Sequence, residues 1–216
     1  MIWAGFWQWG RAEEKITIKR HMDAGIKQTP ESMSDWRQLE DYQSVKISGK
    51  YVNKHFLLAN QFHQGQAGFN VYTVFQSDSG IWLLINRGWT VTDEIVVELD
   101  SQATTVEGFI AAWPRPGVQL GEQEFTDKNR QQVTYLPPAQ TKVLLMQKLC
   151  DSADCQILNR VIKLSATAEH GFVRDWQAPM MTAERHRAYA FQWFGMSLVL
   201  CIIYFIYLRK LYASKT

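Results

Sequence analysis

The segment Ala188–Leu208 (AYAFQWFGMSLVLCIIYFIYL) runs for twenty-one residues without a charge. As a helix rising about 1.5 Å per residue it would reach about 31 Å, enough to cross the hydrocarbon core of a bilayer. Tyr189 and Trp193 near its start, and Tyr204 and Tyr207 near its end, are residues that favour the membrane–water boundary. Arg209 and Lys210 then close it, and only Gln192 and Ser197 are strongly polar inside. Core helices of soluble domains seldom run so far without a polar face. The segment is therefore read as a transmembrane helix, followed by a short tail, 209–216.

The remainder does not look like membrane. Charged residues make up 20% of the chain, and Lys and Arg are interspersed with Asp and Glu, as in Arg11-Ala12-Glu13-Glu14-Lys15. A formal net charge of +2 provides no nucleic-acid footprint, so no nucleic-acid partner is expected. Residues 10–183 are read as one soluble domain. The opening MIWAGFWQW (1–9) is apolar but too short to span, and it lacks the basic start of a secretory signal. It is either a surface helix or the last turns of a membrane helix that begins upstream. Basic residues flank the span evenly (Arg174, Arg185 and Arg187 before it; Arg209, Lys210 and Lys215 after), so charge does not orient it.

Between these ends the periodicity changes. Trp9–Lys27 reads as a helix, acidic early and basic late, and Ser34–Tyr42 as a second short one. Ser44–Tyr51, His55–Asn60, Phe69–Gln76, Ile81–Arg87, Ile95–Leu99 and Thr104–Trp113 read as strands rich in β-branched and aromatic residues. Turn material such as Gln64-Gly65-Gln66-Ala67-Gly68 and Ser77-Asp78-Ser79-Gly80 separates them. Connections this short favour antiparallel pairing. Pro137-Pro138 opens a helix over Ala139–Leu149, Gln156–Leu164 is a further strand, and Phe172–Trp176 is extended. The expected fold is mainly β with short helices: an antiparallel β-barrel or sandwich, plus the C-terminal transmembrane helix.

Common catalytic signatures are missing from the sequence: no phosphate-cradling glycine loop, no dinucleotide fingerprint and no His-Glu-x-x-His. Cys150 and Cys155 are either a small disulfide loop, suited to an oxidising compartment, or two unrelated thiols. Together with His170 they would leave a zinc site one ligand short. Cys201 lies mid-membrane and is read as packing.

Two constellations carry more specific chemistry. In Asn86-Arg87-Gly88-Trp89, Arg87 can clamp a carboxylate beside the aromatic plane of Trp89, or it can satisfy a buried carboxylate or strand-end carbonyls. In Arg185-His186-Arg187, at the mouth of the membrane helix, His186 shares a face with Tyr189, Ala190 and Trp193. Ala190 leaves space, and Tyr189 and Trp193 can wall it. A helix N-terminus favours neutral imidazole, and the flanking guanidiniums can meet carboxylates. Such a set suits haem. It equally describes an interfacial histidine beside snorkelling arginines.

In this order, these motifs resemble the surfeit locus family of cytochrome c oxidase assembly factors. GFWQWGRAEEK (5–15), the Gly65 and Gly68 turn, LLINRGWT (83–90), RDW (174–176) and RHRAYAFQWFGMSL (185–198) are each similar to that family's blocks. The resemblance implies two membrane helices flanking one extracytoplasmic domain, in a bacterium an inner-membrane protein with its body in the periplasm and residues 209–216 in the cytoplasm. It also implies that residues 1–9 end a membrane helix whose start lies upstream of Met1. No catalysis is implied. The expected partners are the oxidase catalytic subunit and the haem a synthesis machinery. Haem a is the expected cofactor, held by His186 with Tyr189, Trp193, Arg185 and Arg187. Arg87, Gly88, Trp89, Arg174 and Trp176 are expected to be partner-binding or structural.

Overall fold

A computed structural model describes residues 1–23, 25, 27–94, 103–115, 121, 123–150, 155–176 and 181–213. Its elements run α1 (Ile2–Asp23), β1 (Lys27–Gln28), α2 (Met33–Gln38), β2 (Ser44–His63), β3 (Gln66–Ser77), β4 (Ile81–Thr90), β5 (Thr104–Ala112), β6 (Arg130–Val133), α3 (Pro138–Leu149), β7 (Gln156–Leu164) and α4 (Ala183–Ala213). They fall into two compact units, residues 24–176 and residues 1–23 with 177–216.

Within 24–176, β2 pairs antiparallel with β3, and β3 antiparallel with β4. β4 then pairs with β7, β7 with β5, and β5 returns to the first half of β2. The sheet thus closes on itself as a five-membered barrel, which removes most free strand edges. Side chains from all five strands meet in one cluster, among them Ile47, Phe75, Leu83, Ile110 and Ile162, with Trp36 of α2 fully buried beside them. A second cluster, on the opposite face of several of the same strands, lies under α3 through Leu144 and Leu145. β4 donates Leu83 and Ile85 to the first cluster and Trp82 and Leu84 to the second. A strand buried on both faces loses its polar alternation, which is why Ile81–Asn86 reads as a continuous apolar run.

The turns follow from local chemistry. Two residues, Gln64 and Gly65, join β2 to β3, both at positive φ (49° and 82°), the geometry that matches the twist of paired strands. Ser32 caps α2 by accepting from the Asp35 N–H at 3.3 Å, while the Asp35 carboxylate accepts from the Ser32 N–H at 2.9 Å.

Several expectations need correction. The mainly β architecture with short helices and an apolar C-terminal helix is as expected, but the sheet is mixed and not all antiparallel, because β4–β7, β1–β2 and β2–β6 are parallel. Short connections do give antiparallel pairs, β2–β3 and β3–β4, but residues 91–155 separate β4 from β7, ample for a crossover. Ser44–Tyr51 and His55–Asn60 are one strand, not two; a register shift between Tyr51 and His55 absorbs the polar Asn53-Lys54. Helix α2 ends at Gln38 instead of Tyr42, since Arg160 holds the Leu39 carbonyl and the Asp41 carboxylate outside it. The first helix spans Ile2–Asp23 without a break at residue 9, and Lys27 lies in β1. Ile95–Leu99 lies outside the described residues.

In the other unit α4 is 31 residues long, and it is long and apolar enough to cross a membrane. Most of its apolar side chains from Leu198 to Ile206 are exposed, as suits a lipid environment. Helix α1 packs antiparallel against its first half. Gly5 lies against Phe194, Trp9 meets Phe191 edge to face at 6.1 Å, and Glu13 reaches Arg187 at 3.2 Å.

Candidate functional site

The α1–α4 pair approaches closely because small residues sit in its seam. A Cβ on Gly5 would fall 2.5 Å from the Phe194 ring, so only glycine allows this approach. Ala12 on α1 and Ala190 on α4 are fully buried. His186 lies one turn before Ala190 and is only 6% exposed. Its Nδ1 is 2.7 Å from Oε1 of Gln8. An amide oxygen can only accept, so Nδ1 carries the proton and donates. Nε2 is then the lone-pair nitrogen, and it makes no hydrogen bond among the described residues.

The other residues expected around His186 are arranged less simply. Ala190 shares its stripe, but the space beside it is occupied by α1 and not left open. Tyr189 is one helical step off that stripe and 45% exposed, and Trp193 is half-buried. Arg185 is exposed, whereas Arg187 donates to Glu13 at 3.2 Å and its guanidinium lies 5.9 Å from the Trp9 ring centre. Gln8, Glu13 and Trp9 are the residues that sequence reasoning missed. They belong to the GFWQWGRAEEK block, yet no local periodicity ties them to a histidine 178 positions away.

These residues suit a haem in kind. One imidazole nitrogen makes no hydrogen bond among the described residues, the Arg185 side chain is exposed, and Tyr189 follows one turn later with 45% of its surface exposed.

The second constellation lies in the barrel unit and acts as a staple. Arg87 is 4% exposed, and its Nε and Nη2 both donate to the His170 carbonyl, the former at 2.7 Å. The guanidinium lies 5.2 Å from the Phe172 ring centre. No carboxylate pairs with it among the described residues; burial lowers its pKa to about 10, with Tyr51 opposing and Arg174 adding to the shift. Within the chain the guanidinium thus serves a backbone carbonyl, here in the turn that follows β7. Gly88 sits at φ 115°, and a Cβ there would meet the Val173 carbonyl at 2.6 Å. Trp89 exchanges backbone hydrogen bonds with Val173 at 2.7 and 3.0 Å, and its Nε1 donates to the Gln61 carbonyl at 2.9 Å.

Arg174 and Trp176 extend the staple. Arg174 Nη1 donates to the Ser165 and Ala168 carbonyls, each at 2.6 Å. Trp176 Nε1 donates to the Leu164 carbonyl at 2.7 Å, and Lys163 Nζ lies 4.9 Å from its ring centre. Cys150 and Cys155 are joined as a disulfide with Cα atoms 5.8 Å apart, which removes both thiolates from any metal site. Among the described residues no cluster of His, Cys, Asp and Glu could hold a metal ion.

A profile of the SURF1 family matches residues 1–198. The SURF1-like protein of Rickettsia felis is 27% identical over 223 residues, covering 97% of this chain and 92% of that protein. Those of Rickettsia conorii and Rickettsia bellii are 23% and 24% identical, each covering 97% of this chain and 87% of the relative. With the match running from the Gln8 helix through the Arg87 staple to the His186 helix, the chain belongs to the SURF1 family, known as a family of oxidase assembly factors.

Proposed function

We propose that this protein contacts haem a through His186 and assists its insertion into the catalytic subunit of a haem-copper cytochrome c oxidase. It works beside the haem a synthesis machinery, held in the bacterial inner membrane with residues 24–176 in the periplasm. The observation that carries the reading is the state of His186: Nδ1 is tied to Gln8 and Nε2 is uncommitted. When bound, haem would supply an iron that takes a nitrogen ligand, and His186 would be the residue to hold it. The chain's own residues do the rest. His186 offers the lone pair, Arg185 an exposed cation for a carboxylate, and Tyr189 and Trp193 apolar ring surface at the lipid boundary.

Absorption of the detergent-solubilised protein, purified from cells making haem a, tests this. The expected result is a Soret band that disappears in His186→Ala. The near-complete burial of His186 favours a second reading, a haem-free scaffold whose helices only anchor a barrel that grips an oxidase subunit. A colourless wild-type protein that still binds the subunit would establish that alternative.

A further inference from the structure

We propose that Gln8 is a positioning residue: it holds His186 in the Nδ1–H tautomer and so presents Nε2 as the ligating nitrogen. The inference deepens the haem reading above and rests on it for its purpose, though not for its geometry. Free imidazole distributes its proton between two nitrogens, and a ligand nitrogen must be the bare one. Here the choice is made by an amide oxygen 2.7 Å from Nδ1, an atom that cannot donate. The contact also sets the ring's orientation, because the acceptor stands on a different helix.

The surroundings keep the pair together. Three residues before Gln8, Gly5 lets α1 reach Phe194; one residue after it, Trp9 packs on Phe191; and five after it, Glu13 holds Arg187. These contacts fix the Gln8 backbone beside His186 and leave its side chain within hydrogen-bonding reach of Nδ1. The block containing Gln8 and the block containing His186 are far apart in sequence, and this hydrogen bond is the contact between them that reaches the imidazole.

The test uses the full-length chain in lipid nanodiscs, labelled with 15N-histidine and free of haem. The His186 signals are assigned by their loss in His186→Ala. The expected spectrum shows a protonated Nδ1 and a bare Nε2. Gln8→Leu should release the ring to the Nε2–H form, and Gln8→Glu, whose carboxylate still accepts, should keep Nδ1–H. Haem titration of the same samples should show Gln8→Leu binding 10- to 100-fold more weakly, the usual loss when a ligand's orienting partner is removed, with Gln8→Glu close to wild type.

A protonated Nε2 in the wild type, or a tautomer that Gln8→Leu leaves unchanged, overturns the proposal. The expected tautomer in a protein whose haem affinity is indifferent to His186→Ala upholds Gln8's hold on the ring. That same result would sink the haem reading instead.

Discussion

The guanidinium of Arg87 lies 5.6 Å from the ring centre of Tyr51, and neither group has a carboxylate partner among the described residues. Burial raises the Tyr51 hydroxyl to about 12, against the pull of Arg87 and Arg174, so the phenol stays neutral and offers its ring face, not an anion. The buried cation is held instead by two aromatic faces and the His170 carbonyl. Arg87→Ala should cost about 3.5–5 kcal/mol, the sum of a charge-assisted hydrogen bond and a desolvated cation–π contact. Arg87→Lys should also destabilise, because an ammonium cannot fork to one carbonyl while stacking on both rings. Urea unfolding of the detergent-solubilised chain measures both. Full stability in Arg87→Ala would move this residue out of the fold and into partner binding.

His55 gives the barrel a pH limit. Its Nδ1 lies 3.0 Å from the Thr73 hydroxyl and its Nε2 3.0 Å from Oδ1 of Asn53, a pairing suited to neutral imidazole. Burial first, then the charges of Arg87 and Arg130, lower its pKa from 6.5 to about 4. The unfolded chain takes up a proton near 6.5 that the folded chain refuses until about pH 4. The stabilisation is thus complete above pH 6.5 and lost as pH falls toward 4, by at most about 3 kcal/mol. Unfolding midpoints measured between pH 7.5 and 4.5 should fall in the wild type and stay flatter in His55→Gln.

Gly88→Ala should be more damaging than its single methyl group suggests. At φ 115° the backbone occupies a region that side chains avoid, and the new carbon would enter the Val173 carbonyl at 2.6 Å. Backbone strain alone costs about 1–3 kcal/mol, and the clash must in addition part Trp89 from Val173. Limited proteolysis should cut the 165–174 segment faster in this variant than in wild type.

How much of this was legible in sequence depends on where each signal resides. Ile81–Asn86 announced a buried strand because apolar residues on two faces leave no gap, and Gln156–Leu164 matched its strand end to end. Arg130–Val133 was not legible: RQQV has no apolar alternation, and its extended form is enforced by pairing with His55–Leu58 and by Gln131 bonding the Glu124 carbonyl and Thr126 N–H. His186 was visible because a titratable group at the mouth of an uncharged helix is conspicuous. Gln8 was not, since its role exists only once two distant helices are side by side.

The Cys150–Cys155 disulfide reports on compartment as well as stability. In intact cells both thiols should resist alkylation until a reductant is added, as expected outside the cytoplasm. Replacing both with serine should cost about 2 kcal/mol, the value for closing so short a loop. Free, alkylatable thiols in unperturbed cells would contradict the periplasmic placement.

Two glycines of α1 separate helix pairing from helix propensity. Gly5→Ala forces a methyl group to within 2.5 Å of the Phe194 ring, whereas a methyl group at Gly10 meets nothing within 4 Å. Gly10→Ala should therefore gain close to the intrinsic preference of alanine in a helix, about 1 kcal/mol. Gly5→Ala gains the same preference but must shift the ring or part the helices, an overpacking cost of about 1–3 kcal/mol. The two variants should then move thermal unfolding of the detergent-solubilised chain in opposite directions, and Gly5→Ala should also loosen Gln8 from His186. Equal stabilisation by both substitutions would mean that α1 and α4 do not rely on this contact to stay paired.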